Sequence, residues 1–337
     1  VHRKKTVTRP EPRQARRHNA ESPLHFARHP ALVKPSRMAT KINLFQIHYN
    51  QKQVAYLDPA FQPWDNSADP RPEWCEYHVF RTAWQRGQME PDAITGIFSW
   101  KFLRKTWLTG PEVRGFIEAN SHADIFLFNP FRTEMLMYKN VWRQAENDCP
   151  GFIELSEQLL GKLGHRLNLS EGWTTDRDGV YCNYWAARKE VWERYFAFTE
   201  PIYEFIESKQ DAELTRRLME RPYQDSGIRF VPYIFERLIC TFLQQNPDIK
   251  VAPWIEPAAT TELKLPGDTE LIEKALRNRN LILNAPTPPT PEAEQLLEEY
   301  LKTLWGIRLS RVPWFTVNRA RMKNLAAKLL SRQKVLR

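Results

Sequence analysis

The segment 230–243, FVPYIFERLICTFL, limits what this chain of 337 residues can fold into more than any other stretch. Ile234, Phe235, Leu238, Ile239, Phe242 and Leu243 recur at the three-to-four spacing of a helix with a wide buried face, entered through Pro232. Glu236 and Arg237 stand in its middle. A carboxylate in so apolar a helix must pair, face water in a cleft, or hold its proton more tightly. The last two states suit a general base or a substrate-orienting acid. The alternative is a solvated Glu on the thin polar edge of a core helix, or a structural ion pair.

Such a helix needs a large core to bury it, and 42% hydrophobic residues supply one, in one large or two smaller domains. No run of eighteen apolar residues is present, so no membrane span is expected. The basic N-terminus lacks the apolar core of a signal peptide. Cys75, Cys149, Cys182 and Cys240 form no CxxC pair, which argues against a zinc knuckle or redox motif and for free thiols in a cytosolic protein.

The net charge of +9 hides a division. Residues 1–37 carry +8 and residues 306–337 carry +9, which leaves 38–305 at −8. An acidic body is flanked by two basic ends, and such ends favour an anionic surface. Nucleic acid is disfavoured as a partner, because no basic strip with interleaved aromatics lies within the body.

Residues 1–37 read as a disordered basic extension, with Met38 as a natural start. Ile42–His48 reads as the first strand, ending in polar His48, Tyr49 and Asn50 where ligands gather in open α/β sheets. A long proline-bearing connection, 51–73, follows without evident secondary structure of its own. Trp74–Arg86 reads as a helix and Ala93–Ser99 as a second strand, followed by Trp100, able to stack on a ring, and Lys101, able to offset phosphate charge. Thr109-Gly-Pro-Glu112 has the form of a capping box opening a helix to Asn120. Asp124–Phe128 reads as a third strand, and Glu134–Gln144 and Glu154–Leu163 as helices.

Asp176 and Asp178 form an Asp-x-Asp, a spacing that can bring two carboxylates to one divalent cation and a diphosphate. Asp-Arg-Asp-Gly is equally a plain turn. Val180–Ala187 reads as a fourth strand, 188–207 as an aromatic helix kinked at Pro201, and Ile249–Ala252 as a short strand. Residues 284–291, NAPTPPTP, read as a proline-rich linker. Beyond it, Glu292–Trp305 and Trp314–Leu330 read as helices. The second has the pattern of a helix lying in a membrane interface, or of an ordinary docked helix with a basic outer face.

Four blocks in fixed order carry a family resemblance. They are WCEYHVFRTAW (Trp74 to Trp84), DAITGIFSWKF (Asp92 to Phe102), NYWAARKEVWERY (Asn183 to Tyr195) and VPYIFERLICTFL (Val231 to Leu243). Together they resemble a bacterial family of glycosyltransferase-like domains found among capsule and lipopolysaccharide genes. The resemblance spans residues 41–255 and is clearest at Glu236-Arg237-Leu238 and at Asn183 with Arg188–Tyr195. Ser99-Trp100-Lys101 stands where the family pattern has His-Tyr-Arg.

The resemblance implies an α/β fold of GT-A type, a mixed, mostly parallel sheet between helices, for the domain 38–283; the C-terminal helices and basic tail over 292–337 are read from the residues themselves. It implies transfer of a sugar from a nucleotide-sugar donor to a cell-surface polysaccharide or lipid-linked glycan. Glu236 then serves as base or acceptor orienter. His48, Tyr49, Asn50, Lys101, Asp124, Asn183 and Arg188 are the candidate donor contacts, and Asp176 and Asp178 the candidate ligands for Mn²⁺ or Mg²⁺. Such an enzyme works in the cytoplasm, peripheral to the inner face of the membrane, with residues 306–337 on its anionic surface. The competing reading is a non-catalytic scaffold or sugar-binding protein of a polysaccharide assembly system.

Overall fold

In the computed structural model, residues 41–222, 228–255, 278–285 and 289–311 are described, without the side chains of 132, 133 and 307–311. The sheet has central strands that are apolar runs buried on both faces, as parallel strands are, and more exposed strands at its two edges. They are β1 (Lys41–His48), β2 (Gln62–Asp65), β3 (Ala93–Ser99), β4 (Ile125–Leu127), β5 (Trp185–Arg188) and β6 (Val251–Pro253). The sheet order is β2-β1-β3-β5-β4-β6. Only β5 is antiparallel to its neighbours. The fold is thus α/β with a mixed, mostly parallel sheet.

Alternation along the strands sorts side chains between two cores. Phe45, Ile47, Ile97, Ile125, Leu127, Trp185 and Ala187 face the larger core. That core is filled by α2 (Glu76–Gln85), α6 (Val141–Asp148), α7 (Phe152–Lys162), α8 (Lys189–Glu207), α9 (Ala212–Leu218) and α10 (Phe230–Gln245). Ile42, Leu44, Ile94, Phe98, Phe126 and Ala186 face the smaller core, against α3 (Phe102–Thr106) and α4 (Gly110–Ala119). Gly96 lies between Leu44 and Ala186 in this second layer. A Cβ there would come within 2.9 Å of both Ala186 Cβ and the Phe98 ring, so the close approach of these strands requires glycine.

The Thr109 capping box forms as expected, and Asp58 adds to it from the long connection by accepting the Gly110 N–H at 2.8 Å. Other expectations change in instructive ways. The connection 51–73 holds a short helix, α1 (Gln51–Val54), and the edge strand β2. β2 carries Pro63, which an edge strand tolerates and a central one does not. The helix expected over Glu134–Gln144 is two, α5 (Arg132–Met137) and α6. Asn140 separates them, accepting the Arg143 N–H at 2.8 Å while its amide donates to the carbonyls of Leu169, Glu171 and Gly172.

The strand expected over Val180–Ala187 is confined to β5, because Cys182 takes a left-handed φ of 63° that breaks the extended run. α8 runs on through Pro201 as a single element. Residue Pro291, expected in the linker, is the first of α11 (Pro291–Arg311), which Thr290 caps by accepting the Ala293 N–H. α11 packs Leu304 on Met137 and Tyr138, and Trp305 Nε1 donates to the Met137 carbonyl at 2.7 Å.

Among the described residues no helix is long and apolar enough to cross a membrane. The basic extension 1–37, residues 286–288 of the linker and the helix expected over Trp314–Leu330 lie outside the described residues.

Candidate functional site

The parallel strands end together on one edge of the sheet, and the crevice beyond such an edge is where open α/β sheets bind ligands. β1 delivers His48, Tyr49 and Asn50 there, and β3 delivers Ser99 and then Trp100 and Lys101. Because β5 runs the other way, it brings the residues before it, Cys182, Asn183 and Tyr184, to the same edge. The Ser99 and Tyr184 hydroxyls are 2.8 Å apart, which ties these two segments together.

Two carboxylates meet at this edge. Glu76 opens α2, and Glu236 comes from the middle of α10. Glu76 is half-buried as a residue, with its carboxyl group the enclosed part, and that burial pushes its pKa upward. The charge of Glu236 pushes the same way, while Lys105 and Lys101 oppose. Lys105, on α3, sets its ammonium 3.0 Å from Cys182 Sγ. Burial works against the Lys105 charge, but Cys182, Glu236 and Glu76 outweigh it and raise its pKa. The Cys182 thiol is pushed up to about 12 by burial and by Glu236, against the pull of Lys105, so it remains a thiol at neutral pH.

Cys75 and Cys182, which sit beside this cluster, are both non-glycine residues with positive φ, 48° and 63°. Such conformations cost about 1–3 kcal/mol each and gather where surrounding structure holds a site in place.

Glu236 itself is 27% exposed on its side chain and lines a cleft of about 420 Å³. Phe131, Tyr138, Tyr181 and Tyr233 form its apolar walls. Phe131 also stands 5.1 Å from the Lys105 ammonium, so the cleft and the charged cluster are continuous. The neighbour of Glu236 on the helix points elsewhere. Arg237 is buried, and it donates to the carbonyls of Val141 and Tyr233 and to Gln144 Oε1 at 2.6 Å. Its nearest approach to Glu236 is 4.0 Å. Arg237 therefore pins α10 to α6 and leaves Glu236 facing the cleft.

On the outer rim, Lys101 and Arg104 lie over the Trp100 ring at 5.2 and 5.9 Å, and Tyr56, half-exposed, packs 5.7 Å from that ring. The rim is thus cationic and aromatic, while the inner wall is acidic and aromatic.

The structure gathers His48, Tyr49, Asn50, Lys101, Asn183 and Glu236 at this edge. It places Asp124 and Arg188 at the opposite one. Asp124 precedes β4 and accepts the Lys250 N–H at 2.9 Å, and Arg188 ends β5 and donates to the Ser121 carbonyl at 2.7 Å. Their charged groups face each other at 3.9 Å.

Asp176 and Asp178 lie in a turn. Asp178 is buried, and one of its oxygens accepts both the N–H and the hydroxyl of Thr175 at 2.6 Å. Arg177 between them donates to the carbonyls of Leu243, Asn246 and Ile249 at the end of α10. No group of three or more His, Cys, Asp or Glu able to hold a metal ion occurs among the described residues. With its Oδ1 taken up by Thr175 and its side chain buried, Asp178 serves the turn.

Glu76, Lys105, Cys182 and Tyr181 escape a reading by sequence. Lys105 follows Lys101 by one helical turn, which is the signal that could have found it. Glu76 is visible only as the acid at the start of the first of the four blocks. No family model, no curated protein and no solved structure matches the chain.

Proposed function

We propose that the chain is a glycosyltransferase of GT-A type that moves a sugar from a nucleotide-sugar donor to a hydroxyl of a cell-surface or lipid-linked glycan. The observation that carries this reading is the meeting of Glu76 and Glu236 with Lys105 at the carboxyl edge of the sheet, beside a cleft of about 420 Å³. A volume of that size suits a small-molecule site. The four sequence blocks add to it, since each contributes a residue to this edge: Glu76, Lys101, Asn183 and Glu236.

In this mechanism the donor diphosphate lies toward α3, where Lys101 and Lys105 offset the charge that grows on it as the sugar–oxygen bond breaks. Glu236 takes the proton of the acceptor hydroxyl as the new glycosidic bond forms. Glu76, enclosed beside Glu236, is placed to hydrogen-bond a sugar hydroxyl and so to orient the ring. Trp100 and Tyr56 on the rim offer faces for a ring to stack on. On the same reading the work is done in the cytoplasm, with the basic residues 306–337 against an anionic membrane surface.

The test is a thermal-shift panel of nucleoside diphosphates and nucleotide sugars, each with and without Mn²⁺. A ligand that binds only the folded state raises the midpoint. One selective hit supports the transferase and names the donor. A flat response across the panel, on folded protein, favours the scaffold reading instead.

A further inference from the structure

The cleft beside Glu236 has a chemistry of its own, and the inference drawn from it rests on the transferase reading. Tyr181 lines the cleft and is only 4% exposed, yet its hydroxyl has no hydrogen-bond partner among the described residues. Arg237, Cys240, Glu134 and Tyr138 act on it electrostatically, and all of these but Cys240 line the same cleft. Buried hydroxyls are nearly always paired, so an orphan beside a cleft is placed to pair with a polar group that enters it.

The sign of the cleft narrows the ligand. Among the described lining residues Glu134, Asp148 and Glu236 contribute carboxylates, and Arg237 is the cation. The three guanidinium nitrogens of Arg237 already donate to Val141, Tyr233 and Gln144. Carboxylates accept hydrogen bonds from hydroxyl or ammonium groups and repel another carboxylate. Aromatic walls accept the C–H face of a sugar ring. The rim near α3, with Lys101, Arg104 and Lys105, has the opposite sign and suits the anionic half of a donor.

We propose that this cleft is the acceptor subsite, and that it takes a sugar ring bearing no negative charge, neutral or amino, with one hydroxyl paired by Tyr181 and another presented to Glu236.

The test uses the full chain and ligand-observed NMR with methyl glycosides of glucose, galactose, mannose, glucosamine, galactosamine, glucuronate and galacturonate. Uridine diphosphate and guanosine diphosphate are titrated in parallel. Neutral or amino glycosides should bind at least tenfold more tightly than uronates. Tyr181→Phe, which removes only the unpaired hydroxyl, should weaken the bound glycosides five- to tenfold while leaving nucleotide affinity and the thermal midpoint in place. Uronates binding as tightly as their neutral counterparts, or no effect of Tyr181→Phe, would overturn the proposal. A protein that binds nucleotide but none of the glycosides would remove the subsite and keep the donor reading. One that binds glycosides selectively but no nucleotide would keep the subsite and remove the transferase.

Discussion

The Lys105 ammonium lies 3.0 Å from the Cys182 sulfur, in a pocket it shares with the carboxylates of Glu76 and Glu236. The thiol stays protonated, so this contact is a hydrogen bond and not an ion pair, and the positive charge is held available to the site. Lys105→Ala should therefore weaken nucleoside diphosphate binding and flatten its salt dependence. Lys101→Ala, at an exposed position, should have the smaller effect of the two. Titration calorimetry at two ionic strengths measures both. Equal affinities for wild type and Lys105→Ala would remove Lys105 from the donor site.

Glu236→Gln should lower transfer about 10²–10⁴-fold, the usual contribution of a positioned general base, with the fold intact because the side chain faces the cleft. The measurement is a single-turnover rate beside a thermal melt. Activity within threefold of wild type would leave the proton without its acceptor.

Glu76 gives a pH signature with a definite sign. Its folded pKa is raised, so between the ordinary carboxylate value and that raised value the native state binds more protons than the unfolded one. Stability then falls as pH rises through this window. Glu76→Gln should melt at about the same temperature as wild type at pH 4 and above it at pH 7. A wild type that gains on Glu76→Gln as pH rises would show that the carboxylate is well paired and not merely buried.

Gly96→Ala should cost about 1–3 kcal/mol, since the added methyl meets Ala186 and Phe98 at 2.9 Å inside a packed layer with no room to relax. Chemical denaturation reads it directly. The loss should appear in stability and only secondarily in ligand affinity, because Gly96 sits in mid-strand and not at the edge.

Asp124→Asn and Arg188→Ala separate the two edges of the sheet. Both residues serve the join of β4, β5 and β6, so the variants should lose stability and keep their affinity for a nucleotide. A selective loss of nucleotide binding on intact protein would move the donor site to the opposite edge.

The helix that carries Glu236 was legible because its apolar spacing leaves one narrow face for a charge, and the structure uses that face for the cleft. β1 and β3 were legible because their runs are short, apolar and closed by polar residues. β2 was not, since in Gln62-Pro-Trp-Asp65 Trp64 alone packs on the core and no alternation marks a strand; it pairs because β1 offers it an edge. Glu76 and Lys105 were hidden for a different reason. Each looks solvated on its own helix, and only tertiary packing brings them beside Glu236. Asp124 and Arg188 show the converse: Asp124 opens an expected strand and Arg188 follows another, but the antiparallel direction of β5, which puts both residues at the same far edge, was not readable from sequence.

The adjacency of Glu236 and Arg237 has a consequence for how α10 tolerates change. Successive residues on a helix project about 100° apart, so one residue looks into the cleft while the next is locked onto α6. A substitution disturbs one of these directions. Inserting or deleting a residue in the turns before Glu236 rotates both at once, swinging the guanidinium out of its carbonyl cradle and the carboxylate into the core. The helix is therefore permissive to point mutation along its outer edge and intolerant of any change in length.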